Sequence, residues 1–319
     1  MPPRTPEFDS AVALVRAGRM PEAVSLLDAL AARDDAHALN LLAELTWKGS
    51  LPHDPVAARA LFARAAAQGL PVAAHRTTNL LASGIAGPRD WSGALVRLHD
   101  EATRDPARAR AAALIDVMVL TGEGDPPEPP LASKISETPS VTLFKNLFTS
   151  AECDYLCDVA TPGFRPSTVY APGRALVRDP VRTSDGSTLN WLVEDPAVHA
   201  LNRRLAAASA TSAAQGEAGQ VLRYGPGQQY RPHLDYLRAT DNQRILTALV
   251  WLNEGYEGGE THFIETGLKI KGRKGDAIVF RNALPNGDPD LMSEHAGLPV
   301  TRGTKLLYSR WIRERRWVP

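Results

Sequence analysis

The chain has 319 residues, 44% of them hydrophobic, with 36 Lys plus Arg against 36 Asp plus Glu. A formal net charge of zero argues against a general nucleic-acid or polyanion binder, which carries a basic excess. The opening residues lack the apolar core of a signal peptide and no stretch is apolar for long enough to span a membrane, so the expectation is a cytoplasmic protein without membrane or nucleic-acid partners.

Residues 1–125 are rich in Ala and Leu at helical spacing, and they repeat. A shift of 36 places Asp54 on Asp90, Ala58 on Ala94 and Ala66 on Ala102, and a shift of 35 places Ala23 on Ala58 and Leu26 on Leu61. Each unit reads as helix, turn, helix. One unit alone cannot bury its apolar face, so successive units stack into a solenoid. The pattern resembles tetratricopeptide-like repeats of the Sel type, which implies a surface that docks a protein partner; an inert helical cap is the plainer alternative. His37, His53, His75 and His99 fall in these repeats at no ligand spacing.

Residues 126–138 open with P-P-E-P-P and read as a linker, because consecutive prolines remove backbone donors and forbid helix. From residue 139 to 319 the texture differs. V-T-L-F-K-N-L-F predicts a strand leading to a helix capped by Thr149 or Ser150, and a second helix is expected from Asp195 to about Ala208, with His199 on it. The two cysteines, Cys153 and Cys157, stand four residues apart on the first of these helices and read as reduced thiols. After Gly219 come short β-rich runs, Q-V-L-R-Y, I-L-T-A-L-V-W-L, D-A-I-V-F and K-L-L-Y-S-R-W-I, separated by Gly and Pro. Many short strands with turn signals predict a sandwich, barrel or jelly roll. The basic residues Arg313, Arg315 and Arg316 read as a solvated end.

The chemistry concentrates in Y-G-P-G-Q-Q-Y-R-P-H-L-D. Alternate residues of a strand share a face, so His233 and Asp235 point the same way. His295 is the best third ligand and His262 its rival. Two imidazoles and a carboxylate leave coordination positions open, the signature of iron(II) oxygenases, and those positions suit 2-oxoglutarate and dioxygen. The same donor set can hold catalytic zinc, but no zinc-hydrolase motif is present. Lys305 follows His295 by ten residues. Inside a jelly-roll core it needs a carboxylate partner, and the distal carboxylate of 2-oxoglutarate is the natural one; on a solvent-facing edge it would mean nothing.

Residues 139–319 resemble the catalytic domain of prolyl 4-hydroxylases. The resemblance rests on R-T-S at 182–184, the segment ending H-L-D, Q-R-I-L-T-A-L-V-W-L-N, E-G-G-E-T-H-F, K-G-D-A-I-V-F and H-A-G-L-P-V-T-R-G-T-K-L-L-Y-S-R-W. It implies a double-stranded β-helix with supporting helices. It implies His233, Asp235 and His295 as iron ligands, Lys305, Tyr224 and Thr261 as 2-oxoglutarate contacts, and Tyr230, Arg244 and Trp311 around a substrate proline. Arg182 and Ser184 would lie in a mobile loop closing over the peptide, within a lid at 170–187. Ascorbate is implied as an auxiliary reductant. Leu298 and Leu306 replace a cysteine and a tryptophan common in the family, and neither position carries chemistry. The expected reaction couples 2-oxoglutarate decarboxylation to hydroxylation of a prolyl residue in a protein or peptide, and a carboxylate at Asp235 favours hydroxylation over halogenation. The alternatives are a hydroxylase of a free amino acid or small metabolite, and a repeat-based binding module with a vestigial catalytic domain.

Overall fold

The computed structural model describes residues 1–170, 176–178 and 181–317. Two compact units emerge, one of residues 1–117 with 191–199 and one of residues 118–190 with 200–317.

The first unit is a succession of helices, each packed on the next: α1 Pro6–Arg16, α2 Met20–Ala31, α3 Ala36–Trp47, α4 Pro55–Ala67, α5 Pro71–Ser83, α6 Trp91–Ala102 and α7 Pro106–Val117. The repeat seen in sequence has a local cause. Asp54 accepts from Ala57 N at 3.0 Å to cap α4, and Asp90 accepts from Gly93 N at 2.8 Å to cap α6. The aspartates that align at a shift of 36 therefore do the same job, satisfying an amide that the helix itself leaves open. Ala23, Ala58 and Ala94 are fully buried, so their lack of bulk lets neighbouring helices approach, while Leu27, Leu39 and Leu42 fill the core. No helix among the described residues is long and apolar enough to cross a membrane.

The second unit is a double-stranded β-helix. Its strands are β1 Ser133–Ser136, β2 Val141–Phe144, β3 Arg165–Pro166, β4 Thr168–Tyr170, β5 Leu176–Arg178, β6 Asp185–Leu189, β7 Gly219–Tyr224 and β8 Tyr230–His233. They continue with β9 Arg244–Trp251, β10 Glu257–Gly258, β11 Thr261–Phe263, β12 Lys269–Ile270, β13 Ala277–Arg281, β14 His295–Gly297, β15 Val300–Arg302 and β16 Lys305–Arg313. The large sheet runs β1-β2-β13-β9-β16-β7-β6-β3 and the small one β12-β11-β14-β8. Leu222, Leu249, Ile278 and Leu307 of the large sheet share one core with Phe263 of the small sheet. Two helices support it. In α8, Ser150–Ala160, Thr149 is the cap and Glu152 returns the bond to Thr149 N, a reciprocal pair. The second, α9, is Pro196–Ala208, of which residues 200–208 belong to this unit; Asp195 caps it by accepting from Val198 N at 3.0 Å. Cys153 and Cys157 are free thiols, as read from sequence.

Three expectations need correction. The proline-rich stretch contains β1, an edge strand that pairs with β2, so the part without regular structure is shorter than 126–138. The lid cannot extend to residue 187, because Asp185–Leu189 is a strand paired with β7 inside the large sheet; residues 171–175 and 179–180 of that expectation lie outside the described residues. The basic end is not wholly solvated: Arg313 is buried, with Nε 2.6 Å from Glu217 Oε1 and Nη1 donating to Asn242 O at 2.6 Å.

Candidate active site

The small sheet assembles the triad. In the pairing of β14 with β8, His295 stands opposite His233 and Gly297 opposite Tyr230. Two steps on β14 therefore match three on β8, a bulge at Arg231–Pro232 that turns Tyr230 to the same side as His233 despite their odd separation. The Tyr230 and His233 rings stack with centroids 3.4 Å apart. The strand stops at His233, so Asp235 is delivered from the segment just beyond β8 and not from a continuous strand. His233 Nε2 is 3.7 Å from Asp235 Oδ1, and His295 Nε2 is 3.8 Å from Asp235 Oδ2. One ligand atom from each of the three residues lies within 4.8 Å of the others.

Each of these side chains is oriented from behind. His233 Nδ1 donates to Arg231 O at 2.8 Å and His295 Nδ1 donates to Ser293 O at 3.0 Å. Placing the ring proton on Nδ1 leaves the Nε2 lone pair turned toward Asp235, the form a metal requires. Thr247 Oγ1 donates to Asp235 Oδ2 at 2.6 Å. Burial, then the neighbouring His295, brings His233 down to about 4, so it is neutral at pH 7. Burial works to raise Asp235, yet the two imidazoles and the Thr247 hydroxyl outweigh it and hold the carboxyl below its ordinary value. Two imidazoles with their Nε2 atoms turned toward a carboxylate held below its ordinary value fit a divalent cation and iron(II) in particular.

From the triad a cavity runs between the sheets, lined by Tyr224, Tyr230, Thr261, Lys305, Ser309 and Trp311 with Leu222, Leu249 and Leu307. Lys305 is 2% exposed, which excludes the solvent-facing alternative. Its Nζ donates to Gly259 O at 2.7 Å, and among the described residues no carboxylate pairs with it. Burial pulls it down to about 8, with Glu260 pulling the other way at longer range. Tyr224 faces Lys305 across the β16–β7 pair, and burial pushes its hydroxyl up against the opposing effects of Arg182 and of a hydrogen bond with Ser184.

The residues expected around a substrate divide. Tyr230, Trp311 and Arg182 line the cavity. Arg182 bridges to Tyr230 at the backbone, and its guanidinium carbon lies 5.5 Å from that ring. Arg244 is not part of the wall. It lies 3.7 Å from the Trp311 ring centre, held by Glu217 through bonds of 2.6 and 2.9 Å. Ser184 is not in an exposed loop: it is fully buried, its carbonyl accepting from Ser167 N at 3.0 Å. His262 is adjacent to Thr261 on β11, so it faces away from the cavity that Thr261 lines, and it does not join the triad. Sequence reading missed Thr247, Asn282 and Glu217. The first had a signal, a lone hydroxyl in the otherwise apolar run I-L-T-A-L-V-W-L.

Residues 219–313 match the family model described as the 2OG-Fe(II) oxygenase superfamily. Prolyl 4-hydroxylase 1 of Arabidopsis thaliana is 35% identical over 202 residues, 57% of this chain and 71% of that protein. The crystal structure of a viral collagen prolyl hydroxylase from Paramecium Bursaria Chlorella virus-1 is 28% identical, covering 54% of this chain and 95% of its own at a TM-score of 0.42. A Sel1 repeat protein from Oxalobacter formigenes is 20% identical, covering 36% of this chain and 46% of its own at a TM-score of 0.31. With a triad suited to iron(II) in the cavity wall and a relative matched over more than two thirds of its length, the chain belongs to the prolyl 4-hydroxylase family, dioxygenases that use iron(II), 2-oxoglutarate and dioxygen.

Proposed function

We propose that this dioxygenase hydroxylates prolyl residues in a protein or peptide, with His233, Asp235 and His295 as the iron ligands and Lys305 as the anchor for the C5 carboxylate of 2-oxoglutarate. The observation that carries the reading is a cavity with an oriented two-histidine, one-carboxylate cluster in its wall and a buried cation that, among the described residues, pairs with no carboxylate. Bound iron(II), with 2-oxoglutarate and dioxygen, supplies the oxidation: the cosubstrate loses carbon dioxide to become succinate, taking one oxygen atom, and the other enters a C–H bond of the substrate.

The chain's own residues place the reactants. Thr261 and Tyr224 line the cavity near Lys305 and are suited to hydrogen-bond the cosubstrate. Tyr230 and Trp311 offer aromatic walls for a pyrrolidine ring, which is compact and carries no backbone donor, so shape and contacts to flanking backbone must recognise it. Arg182 adds a donor for a peptide carbonyl. The prolyl 4-hydroxylases that the chain resembles support a peptidyl proline over a free metabolite. Ascorbate belongs to the same proposal, as the reductant that returns the metal to iron(II) after uncoupled turnover.

His233→Ala and His295→Ala are expected to abolish succinate formation with the fold retained, and normal turnover in His295→Ala would remove the assignment. Incubation with iron(II), ascorbate, 2-oxoglutarate and proline-containing peptides, followed by fragmentation, tests the substrate. Oxygen found only on other residues or on free small molecules would overturn the prolyl reading while keeping the oxygenase.

For the helical unit the reading is docking of the macromolecular substrate. Val72 and Val96 are exposed and line grooves of that unit. Val72→Glu and Val96→Glu are expected to reduce turnover of a whole-protein substrate and spare a short proline peptide. Equal loss on both would assign the helices to support alone.

A further inference from the structure

Two hydrogen-bond chains leave one residue that is not part of the cavity wall. Asn282 follows β13 and is fully buried. Its N–H donates to Ile245 O at 2.9 Å and its carbonyl accepts from Asp290 N at 3.0 Å, so its backbone is fixed on both sides. The side-chain Nδ2 donates to Thr247 Oγ1 at 2.8 Å. An amide nitrogen has no lone pair to offer, so Thr247 accepts in that bond and must direct its own proton elsewhere. It directs it to Asp235 Oδ2, at 2.6 Å, an ionised carboxylate that can only accept. The direction of the chain is therefore set along its length, from Asn282 through Thr247 to Asp235.

The second chain leaves through the backbone. Asp290, tied to Asn282, accepts at its carbonyl from Ser293 N at 2.9 Å and from Ser293 Oγ at 2.6 Å. Its side chain caps the single turn Leu291–Ser293 by accepting from Met292 N at 3.1 Å. Ser293 O is the acceptor for His295 Nδ1. Two of the three triad residues thus trace back to one buried asparagine, 35 residues from Thr247 and far from His233 in sequence.

We propose that Asn282 is a positioning residue for the metal: its amide, acting through Thr247, fixes the plane of the Asp235 carboxylate, and its backbone anchors the turn that orients His295. The inference rests on the reading of the triad as a metal centre. A carboxylate on a short loop beyond the end of β8 would otherwise rotate about its side-chain bonds and lose that freedom on binding. The relay removes the freedom in advance. The competing role, anchorage of residues 283–290 onto β9, belongs to the backbone of Asn282 and survives a change of its side chain, so the two roles separate by substitution.

The test titrates the full-length protein with Mn2+, free Mn2+ being read by electron paramagnetic resonance, alongside a thermal denaturation curve. Asn282→Leu keeps the volume and removes the donor; Thr247→Val removes the hydroxyl; Thr247→Ser keeps it. Asn282→Leu and Thr247→Val are each expected to raise the Mn2+ Kd by about 10- to 100-fold, the scale for removing a partner that orients a ligand. Thr247→Ser should bind as the wild type does. Because the two residues act in series, the double variant Asn282→Leu/Thr247→Val should be no weaker than Thr247→Val alone. The visible absorption of the Co2+-loaded protein should change with Asn282→Leu and not with Thr247→Ser. A folded Asn282→Leu protein with an unchanged Kd overturns the proposal, and if that variant does not fold, an unchanged Kd in Thr247→Val overturns it. His295→Ala keeps the failures apart: if it too binds Mn2+ like the wild type, the metal-centre reading is what has failed.

Discussion

Arg108 in the helical unit and Lys305 in the second unit are both buried and are handled in opposite ways. Arg108 in the helical unit meets Glu101, with Nε donating to Oε2 at 2.7 Å, and also donates through Nη1 to Asn79 Oδ1 at 3.0 Å. Glu101 in turn accepts from Thr78 Oγ1 at 2.6 Å. That cluster closes on itself, each charge answered from within the protein. Lys305 in the second unit is as well buried, but its bond to Gly259 O answers with a dipole and not a charge. A buried cation with its counter-charge in place is a piece of architecture, since burying it unpaired would be costly. A buried cation without one that also lines an open cavity leaves room for a ligand that brings it.

The contrast breaks if the two residues respond alike to substitution. Arg108→Met leaves Glu101 buried without a counter-charge and is expected to destabilise the protein by about 3–5 kcal/mol. Its affinity for 2-oxoglutarate should not change. A denaturation curve and a cosubstrate titration on the same sample check both halves, and a fall in affinity without a fall in stability would show the cluster to be functional. Lys305→Met should do the reverse. Cosubstrate binding is expected to weaken by roughly 2–4 kcal/mol, the loss for truncating one partner of a buried charged pair. Stability without ligand should hold or rise, because an uncompensated buried charge has been removed. Unchanged 2-oxoglutarate affinity would place the cosubstrate elsewhere.

Much of this was legible in the sequence where the signal is local. Asp54 and Asp90 aligned in the repeat because each caps a helix, a contact between residues three apart. His233 and Asp235 were found through strand alternation even though β8 ends at His233, since one further residue does not carry the side chain off the site. His295 and Lys305 were singled out through chemistry, as a metal-binding type and a cation in need of a carboxylate, and both line the cavity. What escaped was long-range and neutral. Nothing in F-R-N-A marks Asn282 as the partner of a threonine on β9, and Arg313 looked solvated because its acceptor Glu217 lies before β7. The burial of Ser184 was hidden for the same reason, being set by Ser167 and the β6–β7 pairing and not by its own neighbours in R-T-S.

The comparison sharpens most finely through pH, which reaches Lys305. Burial has brought Lys305 down to about 8 in the ligand-free protein. A bound C5 carboxylate would favour the ammonium and raise that value, so binding takes up a proton wherever free Lys305 has lost its own. The sign follows: affinity for 2-oxoglutarate is complete below about pH 8 and declines above it, with Kd rising about tenfold for each further pH unit until the value of the complex is reached. In the absence of ligand the folded value lies below that of an unfolded lysine, so the same group makes stability increase as pH rises above about 8. His233 lies outside this range, since burial and the neighbouring His295 bring it down to about 4. The control is Lys305→Arg, whose guanidinium keeps its charge throughout this range. Isothermal titration of 2-oxoglutarate into metal-loaded protein at several pH values above 7 should give a slope for the wild type and none for Lys305→Arg, whatever that variant's absolute affinity. A wild-type affinity that is flat across the range would mean that Lys305 is already held charged without the cosubstrate, and the contrast with Arg108 would fall.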